Sequence, residues 1–283
     1  MDSLEGYVSD DELAIAPLAD LGWEVSTVSW RDRAVRWDNF EIVVLRTTWD
    51  YQRYPEEFLK VLAAIEESSA HLENSLDVVK WNLDKRYLQE LEAKGIPVVP
   101  TIWGAAYNKD AFGEWIQRFD IDEIIIKPTI SATAEHTYRL REYDVGLKRI
   151  FAVRPFMVQP FMPAIVSEGE YSLFYFNGEF SHAILKQPKT ADFRVQEEHG
   201  GLISPADPDQ RLLEAGRRSA DHIAPIPLYS RVDLVRGSSD DWLVMELELI
   251  EPALYFRMDH ESPYRFAKAL NERIDSLNRN DTI

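Results

Sequence analysis

Three acids stand inside two apolar runs: Asp233 in YSRVDLVR, and Glu246 and Glu248 in DWLVMELELIEP. Side chains alternate along a strand, so Glu246 and Glu248 share a face, and a hairpin closed through the polar turn GSSDD brings Asp233 beside them. A charge buried without a partner is expensive. Three converging carboxylates with no adjacent histidine form a hard-oxygen set, the type that holds Mg²⁺ against phosphates rather than zinc. The same pattern also fits a solvated strand edge whose acids reach water. Two lysines bear on the choice. Lys127 ends the apolar strand IIIKP, so its ammonium must emerge into a cleft or meet an anion. Lys85, in NLDKRYL, fits a phosphate contact equally with an ordinary solvated helix position.

The elements that must position these groups read as alternating strand and helix. Trp23–Trp30 (WEVSTVSW) and Glu41–Thr48 (EIVVLRTT) read as buried strands, and PEEFLKVLAAIEES as a helix with proline at its start. Together they predict a small α/β unit with a parallel sheet. Its usual first strand is missing from the polar opening MDSLEGYVSDDE, so the chain either begins inside that unit or lacks the strand. In the next unit Asn82 caps a helix ending at Gly95. Then come the FGEWIQRF helix, the strand DEIIIKP, a loop of small residues, a returning strand and the strand PFMVQPF, closing against MPAIVSEGE. EYSLFYFNGEFSHAILKQP is a hairpin turning at Asn177-Gly178. A polar loop, DFRVQEEHGG, a helix near Pro208–Ile223, the acid-bearing hairpin and a C-terminal helix complete the chain. The expected division is 1–79, 80–160 and 161–283.

The 283 residues, 45% hydrophobic, suffice for two or three lobes around a sizeable core. With 31 basic against 49 acidic residues, net −18, the chain is no backbone-reading nucleic-acid binder. The absence of cysteine excludes disulfides, zinc-thiolate sites and thiol catalysis. No apolar run spans a bilayer and no basic-then-apolar leader opens the chain, so the expectation is a cytoplasmic enzyme or binding protein without membrane contact.

From about Trp81 to Phe256 the order of short motifs resembles the ATP-grasp superfamily. RVD, followed by Glu246 and Glu248, is similar to that family's metal-binding signature, with Glu248 where an asparagine is usual. NLDKRYL, IIIKP and VQPF resemble the two phosphate lysines and the adenine hinge. The resemblance implies ATP held by Lys85, Lys127, Gln159, Pro160, Phe161, Met162 and the ribose acid Glu170. It implies two Mg²⁺ on Asp233, Glu246 and Glu248, with Lys186 balancing phosphate charge. Arg231 would face developing oxyanions. DFRVQEEHGG resembles the Arg…Gly-Gly loop of glutathione-synthetase-like ligases, here Arg194, Gly200 and Gly201. The loop after Lys127, TISATAEH, departs from the family in having no glycine. RTTWDY, WNLDKRYL and ELELIEPALYF resemble the branch that contains a D-cycloserine-forming cyclo-ligase.

The implied fold is α/β, with α+β nucleotide-binding lobes behind an N-terminal α/β domain. The implied reaction is ATP-dependent activation of a small amino-acid-like carboxylate as an acylphosphate, then attack by an amine to form an amide. Its partners would be small carboxylates and amines, and a homodimer is compatible with the reading. Arg46, Thr47, Thr48 and Trp49 follow an apolar strand, the end at which open α/β sheets bind ligands. Arg46 would pair with the substrate carboxylate; alternatively it pairs with Asp50 and Trp49 is core. Arg257 is a second carboxylate anchor or plain surface. The alternatives to a ligase are an ATP-grasp-like nucleotide binder without turnover and a two-carboxylate hydrolase, for which same-face neighbours stand too close together.

Overall fold

The computed structural model describes residues 1–104 and 106–280. A short helix α1 (Ile15–Asp20) precedes β1 (Ile42–Val44), which pairs in parallel with β2 (His71–Glu73) across α2 (Pro55–Glu66). Proline at the first helical position suits α2, since the backbone donor it lacks would go unused there. Phe58, Leu62 and Ile65 recur at helical spacing and bury one face of α2 against Leu45, Leu72 and Trp30. Two helices, α3 (Leu76–Leu83) and α4 (Tyr87–Ala93), then lead away from this unit. Gly95 closes α4 with a positive φ of 78°, as expected for a helix stop.

A four-stranded antiparallel sheet follows, ordered β3-β6-β4-β5, from β3 (Ile102–Trp103), β4 (Ile124–Pro128), β5 (Tyr138–Leu140) and β6 (Phe156–Pro160). Helices α5 (Lys109–Phe119) and α6 (Lys148–Phe151) cover it, with Phe112, Trp115 and Phe151 against Ile124, Ile126 and Val158. Helix α7 (Ala164–Ser167) leads to the third sheet, ordered β11-β10-β7-β8-β9. Its strands are β7 (Glu170–Phe176), β8 (Glu179–Gln187), β9 (Leu202–Pro205), β10 (Tyr229–Arg236) and β11 (Trp242–Glu248). Asn177 and Gly178 both take positive φ at the β7–β8 turn, the geometry that such a two-residue hairpin requires. Helix α8 (Gln210–Ala220) packs Leu212 on one side of this sheet, and α9 (Ser262–Asn280) packs Phe266, Leu270 and Ile274 on the other.

Three sequence expectations need correction. Trp23–Trp30 is extended chain without a ladder, because among the described residues β1 pairs only with β2 and no further strand edge receives it; Val25 and Val28 consequently lie exposed. Asn82 does not cap a helix. It is buried within α3, donating from Nδ2 to the Leu247 carbonyl (2.9 Å) and accepting the Leu249 N–H (2.9 Å). The segment after β6 is helix α7 rather than a closing strand.

Asn82 has a counterpart in Asn74, which is fully buried. Its Nδ2 donates to the carbonyls of Tyr229 (2.9 Å) and Leu249 (2.7 Å), and its Oδ1 accepts the Leu228 N–H (2.7 Å). These two amides fasten the ends of β10 and β11 to the chain that leaves β2. Asn74→Ala would strand three buried backbone groups, and we expect a loss of about 3 kcal/mol, each group costing roughly 1–3 kcal/mol. Urea unfolding at an unchanged m-value checks this; a loss under about 1 kcal/mol would show that water replaces the amide.

Candidate functional site

The bulge between Asp233 and Leu234 sets the polar face of the third sheet. Arg231 pairs with Glu248 and Asp233 with Glu246, whereas Leu234 already faces Val244, so one extra residue sits in β11. Residues directly opposite in an antiparallel pair share a face. Asp233 also opposes Ser172 on β7, and Glu170 opposes Lys186 on β8. One sheet face therefore carries Arg231, Asp233, Glu246, Glu248, Glu170 and Lys186. The middle sheet looks back at it with Lys127 and Gln159, from β4 and β6.

All of these groups line one cavity, with Lys85, Trp49, Arg194, Pro160, Phe161 and Met162. Its polar end is an interlocked set of ion pairs. Lys85 is only 6% exposed; its Nζ donates to the Ser131 carbonyl (2.7 Å) and pairs with Glu246 Oε1 (2.8 Å). Lys127 Nζ stands 4.0 Å from the other oxygen of Glu246. Arg231 holds Asp233 with two parallel bonds of 2.9 Å and also contacts Glu248. Ser172 Oγ donates to Asp233 (2.5 Å), and Lys186 bridges Asp233 (3.3 Å) and Glu170. The solvated-helix reading of Lys85 is thereby overturned.

Charge follows geometry. Burial opposes ionisation of both Asp233 and Glu246. Arg231 and Lys186 nonetheless hold Asp233 well below the usual carboxylate range, and Lys85 and Lys127 lower Glu246. Burial lowers Lys127, with help from the nearby Lys85 charge. Burial, then the charges of Asp233 and Glu246, push Glu248 up to about 7 against the pull of Arg231. Glu251 is raised well above its ordinary value by burial and by Glu248. The lining holds six acids (Glu170, Glu198, Asp233, Glu246, Glu248, Glu251) against five cations (Lys85, Lys127, Lys186, Arg194, Arg231). It is therefore nearly self-neutral. Among the described residues no three His, Cys, Asp or Glu side chains stand ready around a metal, because Arg231 and Lys85 draw the carboxylates toward themselves.

The other end is apolar, walled by Val99, Ile125, Met162, Ile165 and Met245. Gln159 is fixed there by donation from Nε2 to Thr101 Oγ1 (3.0 Å), and the Arg139 guanidinium lies 3.6 Å from the centre of the Phe161 ring. Two loops lie over the cavity. The loop after β4 brings Ser131, Ala132, Thr133 and Ala134 to the lining and takes positive φ at Thr133, Ala134 and His136 without a single glycine. The loop between β8 and β9 brings Phe193, Arg194, Val195, Gln196 and Glu198. Arg194 is turned back onto its own loop, bonded to Asp192 at 2.9 and 3.1 Å. His199 Nε2 reaches the Thr133 carbonyl (3.4 Å), joining the two loops.

Six of the residues singled out from sequence stand apart from the lining. Arg46 is directed away from it, donating to Asp11 (2.9 and 3.1 Å) and to the Pro252 carbonyl (2.6 Å) beside the Tyr229 ring; Asp50 instead pairs with Arg31 (3.4 Å). Thr47 and Thr48 follow Arg46 outside the lining, and only Trp49 enters it, with Nε1 donating to the Glu251 carbonyl (2.8 Å). Gly200 and Gly201 shape their loop rather than line the cavity: Gly200 takes a φ of 82°, and a Cβ on Gly201 would meet the Val195 carbonyl oxygen at 2.0 Å. Arg257 is neither anchor nor bare surface, since it pairs with Asp10 and Glu197, both at 2.6 Å. Sequence reasoning missed Tyr51, Asn82, Phe193, Glu198, Tyr255 and Glu251 in the lining. Only Glu251 left a trace, as a third acid in an apolar run.

Residues 1–74 match the family described as D-cycloserine synthetase DcsG, N-terminal domain. The chain is 32% identical over 278 residues to the cycloserine biosynthesis protein DcsG of Streptomyces lavendulae, covering 90% of each. The crystal structure of D-cycloserine synthetase DcsG superposes with a TM-score of 0.80 at 30% identity, over 93% of this chain and 94% of that one. The D-alanine–D-alanine ligase of Bacillus anthracis, solved in complex with ATP, shares the fold at 13% identity with a TM-score of 0.65, over 97% and 96%.

Two measurements follow from the geometry. Arg46→Ala would leave Asp11 and the Pro252 carbonyl without their partner, and we expect a loss of about 2 kcal/mol in stability with nucleotide affinity unchanged. Weaker nucleotide binding at unchanged stability would return Arg46 to the binding site. The raised Glu251 gives a sign for pH. Its contribution is fully present below the unfolded value of about 4.3 and is lost as pH climbs through the higher folded value. In Glu251→Gln the fall in melting temperature of the ligand-free protein between about pH 5 and about pH 8 should become shallower; an unchanged slope refutes the assignment.

Proposed function

Because the chain belongs to the D-cycloserine synthetase family of ATP-grasp ligases, we propose that it closes a C–N bond within one small amino acid, joining the carboxyl group to a side-chain nitrogen. The chain is an ATP-dependent ligase of the carboxylate–amine type. No helix among the described residues is long and apolar enough to cross a membrane. In our reading residues 1–79 form the substrate-side unit, and 80–160 and 161–283 are the two lobes that close on ATP.

The observation that carries the reading is the pair of buried lysines, Lys85 and Lys127, sharing one carboxylate, Glu246, at the mouth of an apolar slot. Triphosphate oxygens compete with Glu246 for both ammonium groups, so nucleotide entry exchanges an internal ion pair for an external one. The slot beside Gln159, Pro160, Phe161 and Met162 would receive the adenine, and Glu170 the ribose side. The freed carboxylates of Glu246, Asp233 and Glu248 form an oxygen-only donor set suited to Mg²⁺, and a nearly self-neutral lining needs such a cation to accept a polyanion. When bound, Mg²⁺ would supply charge neutralisation of the phosphates.

The chain's own residues do the rest. Lys85 and Lys127 orient the phosphates so that a carboxylate oxygen of the substrate attacks the γ-phosphorus, breaking its bond to the bridging oxygen and releasing ADP. Arg231 and Lys186 face the negative charge that grows on the acyl oxygen as the nitrogen attacks the carbonyl carbon. The C–O bond then breaks, phosphate departs and the nitrogen loses its proton. Phe193, Arg194 and the loop after β4 exclude water, which would otherwise hydrolyse the acylphosphate.

Release of ADP and phosphate from Mg-ATP should depend on an amino acid carrying a side-chain amine or amino-oxy group, and mass spectrometry should find a product one water lighter. Glu246→Gln should lower kcat by more than about 100-fold and also lower the melting temperature of the ligand-free protein, since Lys85 and Lys127 lose their shared carboxylate. ATP binding without turnover across such a panel would favour the nucleotide-binding alternative. Retained turnover in Glu246→Gln would make that acid structural.

A further inference from the structure

Glu251 stands out in the lining because it has no partner. The residue is 6% exposed and lines the cavity, yet among the described residues no hydrogen bond or ion pair reaches its carboxyl group. Every other deeply buried acid on the cavity wall is held: Asp233 by Arg231, Ser172 and Lys186, and Glu170 by Lys186. Glu248 has Arg231 and Glu246 has Lys85. The Glu251 carboxyl therefore opens into the cavity without a protein donor, which leaves it free to accept one from a ligand seated there.

Its surroundings define that ligand. The Glu251 backbone is fixed, with its carbonyl accepting the Trp49 indole N–H (2.8 Å). Trp49, Tyr51 and Tyr255 contribute aromatic walls to the same cavity. Aromatic walls and a buried acid favour a compact cation. The neighbouring cations Lys85 and Arg231 are already engaged by Glu246 and Asp233, so neither answers Glu251. Two residues separate Glu251 from Glu248, and Glu251 is coupled electrostatically to Glu248, Lys85 and Arg231, which puts this acid beside the polar end of the site rather than in the apolar slot.

We propose that Glu251, walled by Trp49, Tyr51 and Tyr255, is the subsite for the substrate's free ammonium group and selects substrates that carry a primary amine next to the carbonyl undergoing ligation. The assignment rests on the ligase reading above and adds to it the residue that reads the amine. Glu251 makes no contact with phosphate in this scheme and holds no metal.

The test is calorimetric titration of protein loaded with Mg-ADP, wild type and Glu251→Gln, with three matched pairs. These are D-alanine and propionate, D-serine and 3-hydroxypropionate, and D-cycloserine and isoxazolidin-3-one, the same ring without its amino group. In the wild type the amine of at least one pair should bind about tenfold or more tighter than its counterpart. Glu251→Gln should erase that preference and leave Mg-ADP affinity within about twofold. Equal binding of both members of every pair, or no binding of any, overturns the proposal. So does a variant that weakens both members alike, which marks a structural role, or one that weakens Mg-ADP, which marks a metal ligand. Failure of Mg-ADP to bind the wild type would count instead against the ligase reading.

Discussion

The two parallel bonds from Arg231 to Asp233 are the interaction on which the site depends. Two charges are taken out of water at the centre of a sheet, and desolvation on that scale is tolerated only where geometry and additional hydrogen bonds are good. Here Ser172 and Lys186 complete the environment of Asp233, and Lys186 carries the same compensation on to Glu170. The bulge in β11 sets Glu246 opposite Asp233 while Leu234 is already opposite Val244. With that register, Lys85 and Lys127 from the other side of the cleft find a carboxylate waiting, and the middle sheet and the third sheet share a charge cluster even without ligand.

This cluster changes the explanation of why acids sit in apolar strands. The sequence suggests that metal ions offset them. In the ligand-free protein, the chain's own lysines and arginine do so, which keeps the fold intact before any nucleotide arrives. In our reading, nucleotide binding is an exchange of partners rather than the filling of a charged void. Neutral residues in place of the acids would strand the cations in the same low-dielectric environment, so acids and cations depend on one another.

Local pattern carried much of this architecture. The Asn177-Gly178 turn, the alternation around Asp233 and the apolar run before Lys127 each specify an element from a few adjacent residues, and the resemblance to ATP-grasp ligases ordered them. What pattern could not reach was pairing across distance. Arg46 meets Asp11, 35 positions away, rather than the nearer Asp50. Asn82 looks like a helix cap because caps are local, whereas its partners lie on the strand end more than 160 residues later. Trp23–Trp30 has strand composition, but a strand exists only where a neighbour offers its edge. Glu251 was overlooked beside the more conspicuous Glu246 and Glu248, since only burial without a partner distinguishes it.

Arg257 ties Asp10, near the start of the chain, to Glu197 in the loop over the cavity, and Arg46 ties Asp11 to the Pro252 carbonyl just beyond the acid-bearing hairpin. The opening segment is thus fastened both to the loop and to the wall of the same cleft. For the construction of chimaeric ligases, in which one enzyme's substrate-side unit is grafted onto another's nucleotide-binding body, the seam does not lie at the sheet boundary. Residues 10, 11, 46, 197 and 257 would have to travel as a matched set, or the transplanted unit would arrive with its hinge pins missing.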